Sequence, residues 1–110
     1  MNDCPFCLIA SGEIPCDIIY GDERVVVFAD IQPRAPVHLL CAPREHKGSV
    51  LEADVSLVGH IFAVIAERHE EWGLAEGFRV VTNCGDNGRQ TVGHLHFHVL
   101  GGRQLSAGFC

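Results

Sequence analysis

Three histidines alternate with apolar residues in the run His94-Leu95-His96-Phe97-His98-Val99. Successive side chains of a β-strand point to opposite faces, so a strand here would place the three histidines on one face and their apolar neighbours on the other. His94 and His98 would then lie about 13 Å apart along the strand, too far to bind one small ion together. The spacing therefore predicts that the three histidines have different tasks.

A neutral imidazole can attack phosphorus and later leave it, because near pH 7 it is a competent nucleophile and a reasonable leaving group. Attack requires one unprotonated ring nitrogen, a fixed acceptor for the proton on the other, and donors around the phosphate oxygens. In the loop 83–91, Gly85 and Gly88 permit close approach of backbone N–H groups. Gln90 and Thr91 add side-chain donors. This loop and the histidine run together indicate phosphoryl chemistry on a histidine.

Other interpretations of the histidines stay open on the residues alone. His-x-His pairs also occur in catalytic zinc sites, which would make the protein a zinc-dependent hydrolase. The same segment also suits a module that binds or senses nucleotides with negligible turnover. A chelator would abolish the activity of the zinc enzyme at once, whereas a trapped covalent adduct would distinguish a histidine nucleophile from a binding module.

Cys4 and Cys7 are separated by two residues, the spacing that supplies half of a tetrahedral zinc site. A redox pair or a chance spacing is the alternative, and zinc requires two further ligands. The other four cysteines are scattered singly, and no basic and apolar leader segment precedes them. We therefore expect thiols rather than disulfides, and a cytoplasmic protein.

The composition predicts one globular domain over residues 1–110, with 47% hydrophobic and 20% charged residues. Eight Lys and Arg residues against fourteen Asp and Glu residues give a net charge of −6. An acidic surface repels phosphate polymers, so we expect no nucleic-acid partner, although a mononucleotide needs only a few local donors. No apolar run approaches the roughly 18–20 residues that span a bilayer, so we expect no membrane association.

Short apolar and β-rich runs predict five strands, at 18–20, 25–29, 37–42, 78–82 and 95–100. A short helix is expected at 6–11, and apolar spacings of three and four predict a long helix at 54–72. Antiparallel strands with one main helix on a face correspond to an α+β fold.

The predicted long helix carries two apolar stripes, the first at Leu51, Val55, Val58, Phe62 and Ile65, and the second at Leu57, Ile61 and Val64. A helix on so small a domain needs only one apolar face for its sheet, so two stripes indicate a homodimer. A broad face directed at the core is the alternative. If the protein is a dimer, a charge at Ile61 or Val64 is expected to dissociate or unfold it.

The pattern His-φ-His-φ-His-φ-φ at 94–100 resembles the signature of the histidine-triad (HIT) superfamily. Matching segments are Gly12-Glu13-Ile14-Pro15, Phe28-Ala29-Asp30-Ile31, Pro36-Val37-His38, Pro43-Arg44-Glu45-His46, Asn83-Cys84-Gly85, Gln90-Thr91-Val92 and Gly101-Gly102-Arg103-Gln104. The last segment is similar to the Hint-like branch of purine nucleoside phosphoramidases, whereas Fhit-like dinucleoside polyphosphate hydrolases usually differ there. His98 stands where the uridylyltransferase branch has Gln, which favours water as the final acceptor.

The resemblance implies a HIT-like α+β fold, with a five-stranded antiparallel sheet, one long helix and a short N-terminal helix, dimerising through the long helix and the fourth strand. It implies cleavage of purine nucleoside phosphoramidates, derivatives of AMP or GMP, or of related nucleoside phosphates, through a nucleotidyl group on His96. Dinucleoside polyphosphate hydrolysis is the alternative.

Two sets of residues follow from the resemblance. The implied catalytic set is His96, His98, His38 and Thr91. The implied nucleotide-binding set is Phe6, Ile9, Phe28, Asp30, Ile31, Asn83, Arg89, Gln90, Thr91, Val92, His96 and His98. Within this set the resemblance assigns Asp30 to the ribose hydroxyls and Phe6, Ile9, Phe28 and Ile31 to the base. Arg89 departs from the family pattern, which usually has a small residue at this position.

Many bacterial members of the superfamily have a Cys pair completed by two histidines, and the matching residues here are Cys4, Cys7, His46 and His94. The resemblance therefore implies one structural zinc ion per chain. Two thiolates and two neutral imidazoles would balance the charge of Zn²⁺ and close its coordination, so this zinc would not be catalytic.

Overall fold

The structure is a computed structural model that describes residues 3–108. Its elements in chain order are α1 (Pro5–Ala10), β1 (Ile18–Gly21), β2 (Val25–Ala29), β3 (Val37–Pro43), a 3-10 turn (Val50–Glu52), α2 (Val55–Arg68), β4 (Phe78–Val81) and β5 (Phe97–Gly101). The predicted α+β class, with five strands, one long helix and a short N-terminal helix, is confirmed. Of the predicted element boundaries, only the C-terminal end of the long helix differs by more than two residues.

All neighbouring strands of the sheet are antiparallel, in the order β1-β2-β3-β5-β4. The last strand in sequence, β5, therefore lies between β3 and β4. Its register places His98 opposite Leu40 of β3 on one side and Val81 of β4 on the other. This central position gives the histidine segment neighbours on both sides.

The two faces of the sheet have separate cores because side chains alternate along each strand. On one face, Val25 and Val27 of β2 belong to a large cluster that includes the buried face of α2. On the other face, Val26 and Phe28 pack in a smaller cluster with Phe6 of α1. The short N-terminal helix thus covers the sheet face opposite α2.

Helix α2 begins after Asp54, whose carboxylate oxygen Oδ1 accepts the N–H of Leu57 at 2.8 Å and so caps the helix. The helix ends at Arg68 rather than at residue 72, because the chain turns there and passes through Gly73 at a φ of +82°. Within residues 3–108, no helix is long and apolar enough to cross a membrane.

The expectation that Ile61 or Val64 faces a second subunit is wrong. These side chains are 0% and 2% exposed within the single chain, where they form the core face of α2. The other predicted stripe contains the exposed residues, since Val55 is 89% and Phe62 43% exposed. A charge at Ile61 or Val64 would therefore disrupt the core of the chain itself.

Candidate active site and metal centre

His96 and His98 reach the sheet face that α1 covers. Phe97 and Val99 point into the core on the α2 side, so alternation turns His98 to the opposite face. His96 precedes the first residue of β5, and its carbonyl accepts the hydroxyl of Thr82 at 2.8 Å. The two imidazole rings are 5.0 Å apart between centroids.

The imidazole of His96 is held in one orientation. Its Nδ1 lies 2.7 Å from the carbonyl oxygen of His94, and because a carbonyl only accepts, Nδ1 carries the proton. The edge-to-face ring of Phe6 is 4.8 Å away, and His96 is only 6% exposed. In the neutral ring the lone pair is therefore on Nε2, the state that nucleophilic attack requires.

A chain of hydrogen bonds sets the protonation of His38 and His98. The backbone N–H of Arg34 donates to Nδ1 of His38 at 3.0 Å, so the proton of neutral His38 is on Nε2. This Nε2–H donates to Nδ1 of His98 at 2.9 Å. Neutral His98 therefore carries its own proton on Nε2, where it can be donated to a ligand.

Burial favours the neutral form of both histidines. It is the main cause that lowers the pKa of His98 to about 4, and the neighbouring His96 and His38 lower it further. Burial likewise lowers the pKa of His38, although the carboxylate of Asp30 opposes that shift. Both rings are thus neutral at pH 7, as the hydrogen-bond chain requires.

Asp30 lies at the end of this chain. Its Oδ2 is 3.4 Å from Nε2 of His38, and its Oδ1 accepts the backbone N–H of Gln32 at 2.9 Å. The ligand atoms of Asp30, His38 and His98 are close enough together to hold a metal ion. A metal on Nε2 of His38 would have to displace the proton that the Arg34 N–H bond places there, so the arrangement favours a hydrogen-bonded relay.

The loop before the histidines is held by its own polar side chains. Asn83 donates to the carbonyl of Gly88 at 2.7 Å. Gln90 donates to the carbonyl of Gly48 at 2.7 Å and to that of Val92 at 3.0 Å, while its Oε1 accepts the N–H of Gly85. Both residues were predicted to bind the nucleotide, and in the structure their side-chain amides bond to the backbone and hold the loop in shape.

Two further predicted residues of this loop, Thr91 and Arg89, are exposed. Arg89 has a φ of +62°, a left-handed conformation that side chains with a Cβ rarely adopt. The superfamily usually has a small residue at this position, and glycine, the smallest, adopts this conformation without strain.

An apolar cluster lies beside His96. It contains four of the predicted nucleotide-binding residues, Phe6, Ile9, Phe28 and Val92. The structure adds Val26 and Leu40, which the sequence analysis did not single out. Alternation along β3 places Leu40 on the face of His38, so that pattern would have identified it. The remaining predicted base-pocket residue, Ile31, is 90% exposed and lies outside this cluster.

The four predicted metal ligands come together at the N-terminal side of the histidine run. Their ligand atoms, the Sγ atoms of Cys4 and Cys7 and ring nitrogens of His46 and His94, all lie within 4.8 Å of one another. Nδ1 of His94 is 3.2 Å and 3.4 Å from the two sulfurs, and Nδ1 of His46 is 3.3 Å from that of Cys7.

These distances fit a metal centre. A tetrahedral ion with ordinary Zn–S and Zn–N bonds places sulfur and nitrogen ligands about 3.6 Å apart. Nε2 of His94 donates its proton to the carbonyl of Pro43 at 2.8 Å, which directs the Nδ1 lone pair at the thiols. The set can therefore hold a metal ion, with two soft and two borderline ligands.

Comparison with known proteins agrees with this geometry. A family model for the HIT domain matches residues 11–105. An uncharacterized HIT-like protein of Synechococcus elongatus is 43% identical over 108 residues, which cover 96% of this chain and 95% of that protein. A HIT family hydrolase from Clostridium thermocellum has a TM-score of 0.92 at 41% identity, covering 100% of this chain and 99% of the other. A histidine triad protein from Clostridium difficile has a TM-score of 0.92 at 43% identity, covering 98% and 97%. The histidine run, its fold and these matches together show that the chain belongs to the HIT family.

Proposed function

We propose that the protein is a nucleotide-binding hydrolase that cleaves purine nucleoside phosphoramidates, such as adenylylated amines, or related nucleoside phosphates. The observation that carries this proposal is the orientation of His96, whose Nδ1–H is held by the His94 carbonyl at 2.7 Å. A free Nε2 lone pair on a nearly buried imidazole is a prepared nucleophile. The solved relative described as a HIT family hydrolase supports hydrolytic chemistry.

In the proposed first step, Nε2 of His96 forms a bond to phosphorus while the P–N bond of the substrate breaks. The leaving nitrogen takes the proton on Nε2 of His98, and the negative charge left on the His38–His98 pair is balanced by the positive charge that the ring of His96 gains on forming its bond to phosphorus. In the second step, water attacks phosphorus, the bond to His96 breaks, and the nucleoside monophosphate leaves. The proton lost by the water returns to His98, so the site is restored.

The surroundings of His96 suit a nucleotide. The apolar cluster that contains Phe6 and Phe28 offers ring faces and edges to a purine base. Asp30 lies on the same sheet face, and a carboxylate accepts two hydrogen bonds from the vicinal hydroxyls of a ribose. Backbone N–H groups of the glycine-rich loop 83–91 complete the donors that we propose for the phosphate.

The four metal ligands support this chemistry structurally and take no part in the reaction. We propose one Zn²⁺ ion at Cys4, Cys7, His46 and His94, because thiolate and imidazole ligands in tetrahedral spacing select zinc. A zinc ion with four protein ligands keeps no open position for a substrate. Its contribution would be to fix α1 on the sheet, next to His96.

We further propose a homodimer formed through α2 and β4. The exposed apolar side chains Val55, Phe62 and Phe78 lie on these two elements. In the described sheet β4 is an edge strand, so its outer backbone groups can pair with a second copy.

None of the described cysteines forms a disulfide, which fits a cytoplasmic enzyme.

A trapped adduct would test the proposed function. The protein is mixed briefly with a fluorogenic adenosine phosphoramidate, quenched without acid, and analysed by mass spectrometry for an adenylyl group on His96. His96→Ala should fold normally yet lose turnover by several orders of magnitude, because only binding and electrostatic assistance remain. His69→Ala, which removes an imidazole at the far end of α2, is the matched control and should retain full activity.

Retention of a tenth of the wild-type kcat by His96→Ala would show that His96 is not the nucleophile. Tight AMP binding with no adduct and no turnover would instead favour the binding module. Loss of turnover immediately after chelation, with the fold unchanged, would support a zinc-dependent hydrolase.

A further inference from the structure

A cavity of about 270 Å³ lies beside His98. Three arginines line it, Arg34, Arg79 and Arg103, together with Asn83 and Val81. Arg34 comes from the loop between β2 and β3, Arg79 from β4, and Arg103 from the segment after β5. Parts of the chain that are far apart in sequence therefore bring their positive charges to one place, which we call the arginine pocket.

The arginine pocket and the apolar cluster lie on opposite sides of His98 across the sheet. In the row of paired residues that contains His98, Phe28 and Leu40 lie toward β2 and β3, and Val81 lies on β4. Arg79 belongs to the next row, opposite Leu100. Two residues along a strand span about 7 Å, so Arg79 lies about that far along β4 from Val81, the neighbour of His98. A phosphate bound at the histidines would therefore be only a few bond lengths from the pocket.

The charge of this cavity contrasts with that of the whole chain. The chain has eight Lys and Arg residues and a net charge of −6, yet three of those eight line this one cavity. Its lining residues include no Asp or Glu. A cavity of this kind attracts anions even on an acidic protein, because low-dielectric walls concentrate the local field.

The structure also connects these arginines to the histidines. The backbone N–H of Arg34 holds His38, and the charge of Arg34 adds to burial and to the neighbouring histidines in lowering the pKa of His98. Arg79 donates to the carbonyl of Ser106 at 2.6 Å, and Arg103 to that of Gln104 at 2.9 Å. Each of these guanidinium groups has further N–H donors for a ligand, since arginine carries five.

We infer that the arginine pocket binds an oxyanion on the leaving group, so that the enzyme prefers nucleoside phosphoramidates whose amine carries a carboxylate or phosphonate a few atoms beyond the scissile bond. This inference rests on the proposed function. The nucleoside occupies the apolar side of His98 and the leaving amine the side of the arginines. When the P–N bond breaks, the amine departs with the proton from His98 and keeps its anionic group.

Three matched substrates test the inference. They are adenosine 5′-phosphoramidates of β-alaninamide, β-alanine and 2-aminoethylphosphonate, which share the nucleotide and spacer but end in a neutral amide, a carboxylate and a phosphonate. A charged hydrogen bond contributes about 1.5–3 kcal/mol, so kcat/KM for the two anionic substrates should exceed that for the amide by about tenfold or more. The ratio between carboxylate and phosphonate identifies which oxyanion the pocket prefers.

The variants Arg79→Gln and Arg103→Gln should reduce this preference about tenfold each while changing kcat/KM for the amide by less than about twofold. Arg24→Gln is the matched control, because Arg24 donates to Ser56 on the far side of the sheet and lies outside the pocket. Equal kcat/KM for all three substrates, or a preference that survives both pocket variants, would overturn the inference alone. Turnover of none of them, without an adduct on His96, would overturn the proposed function and the inference with it.

Discussion

Chelation of the metal that we propose at Cys4, Cys7, His46 and His94 should release helix α1 from the sheet while the sheet stays folded. Helix α1 has only six residues and no side-chain N-cap bond, and a helix of that length is not stable alone. Ordering six residues costs at least about 6 kcal/mol. Without the metal, nearly buried Phe6 and half-buried Ile9 contribute about 4 kcal/mol. The bond from Arg44 to the Ala10 carbonyl adds about 1.5 kcal/mol. These contributions nearly cancel, so the metal decides whether α1 is docked.

The size of the effect follows from linkage. A metal present at about a hundred times its Kd stabilises the native state by about 2.7 kcal/mol, so chelation should lower Tm by roughly 10–20 °C. KM should rise because Phe6 leaves the base side of the site. The kcat should change less, because the His94 carbonyl that holds His96 belongs to a segment fixed by the bond from the Leu95 N–H to the Lys47 carbonyl at 2.7 Å.

Calorimetry and hydrogen exchange with and without a chelator measure these effects, with Cys4→Ser as the genetic equivalent. Cys16→Ser is the control, because Cys16 is a half-buried thiol near the same helix but outside the metal set. Unchanged Tm, KM and amide protection of α1 after complete metal removal would refute the reasoning.

Three other changes have defined outcomes. Burial alone would raise the pKa of Asp22, but hydrogen bonds from two backbone N–H groups and two side chains hold that pKa well below its usual range. The resulting stabilisation is present above the unfolded pKa of about 4 and is lost as pH falls further. Asp22→Asn should therefore lower the free energy of unfolding by about 1–3 kcal/mol at pH 7 and flatten its decline in acid, as measured by urea unfolding. Arg89→Gly should raise the free energy of unfolding by about 1 kcal/mol because it relieves the left-handed backbone, whereas Arg89→Ala should bring no such gain. Val55→Glu should dissociate the proposed dimer in light scattering without unfolding the chain, since Val55 is 89% exposed. Ile31→Glu, at a position 90% exposed on the loop between β2 and β3, should leave the mass unchanged.

Strand and helix positions were predictable because they depend on local apolar runs. The wrong assignment of the faces of α2 has a specific cause. The first stripe was counted from Leu51, which lies in the separate 3-10 turn Val50–Glu52 rather than in the helix. Helical spacing does not continue from that turn into α2. The core face of α2 combines the second stripe with Ile65 and Val58 of the first, which is the broad face directed at the core that was the alternative interpretation.

The resemblance to the HIT superfamily supplied the residues of the candidate site, but no sequence pattern predicted which of their ring nitrogens carry protons. The proton positions on His96 and His38 depend on a carbonyl of His94 and an N–H of Arg34, whose directions are set by the folded backbone. The arginine pocket could not be predicted from the sequence for a similar reason. Arg34, Arg79 and Arg103 are far apart in the chain and converge only because β5 brings β3 and β4 together.

The insertion of β5 between β3 and β4 also has a consequence for biosynthesis. Because chains fold from the N-terminus as they emerge, β1 to β3 can pair first and leave the edge of β3 open until residues 97–101 arrive. Pairing over such sequence separations is slow, and an open edge is a site for association with other chains. The strand that closes this edge is the one that carries His98. A nascent or partly unfolded chain that is prone to aggregate is therefore also one that lacks the assembled histidine site on which the proposed hydrolysis depends.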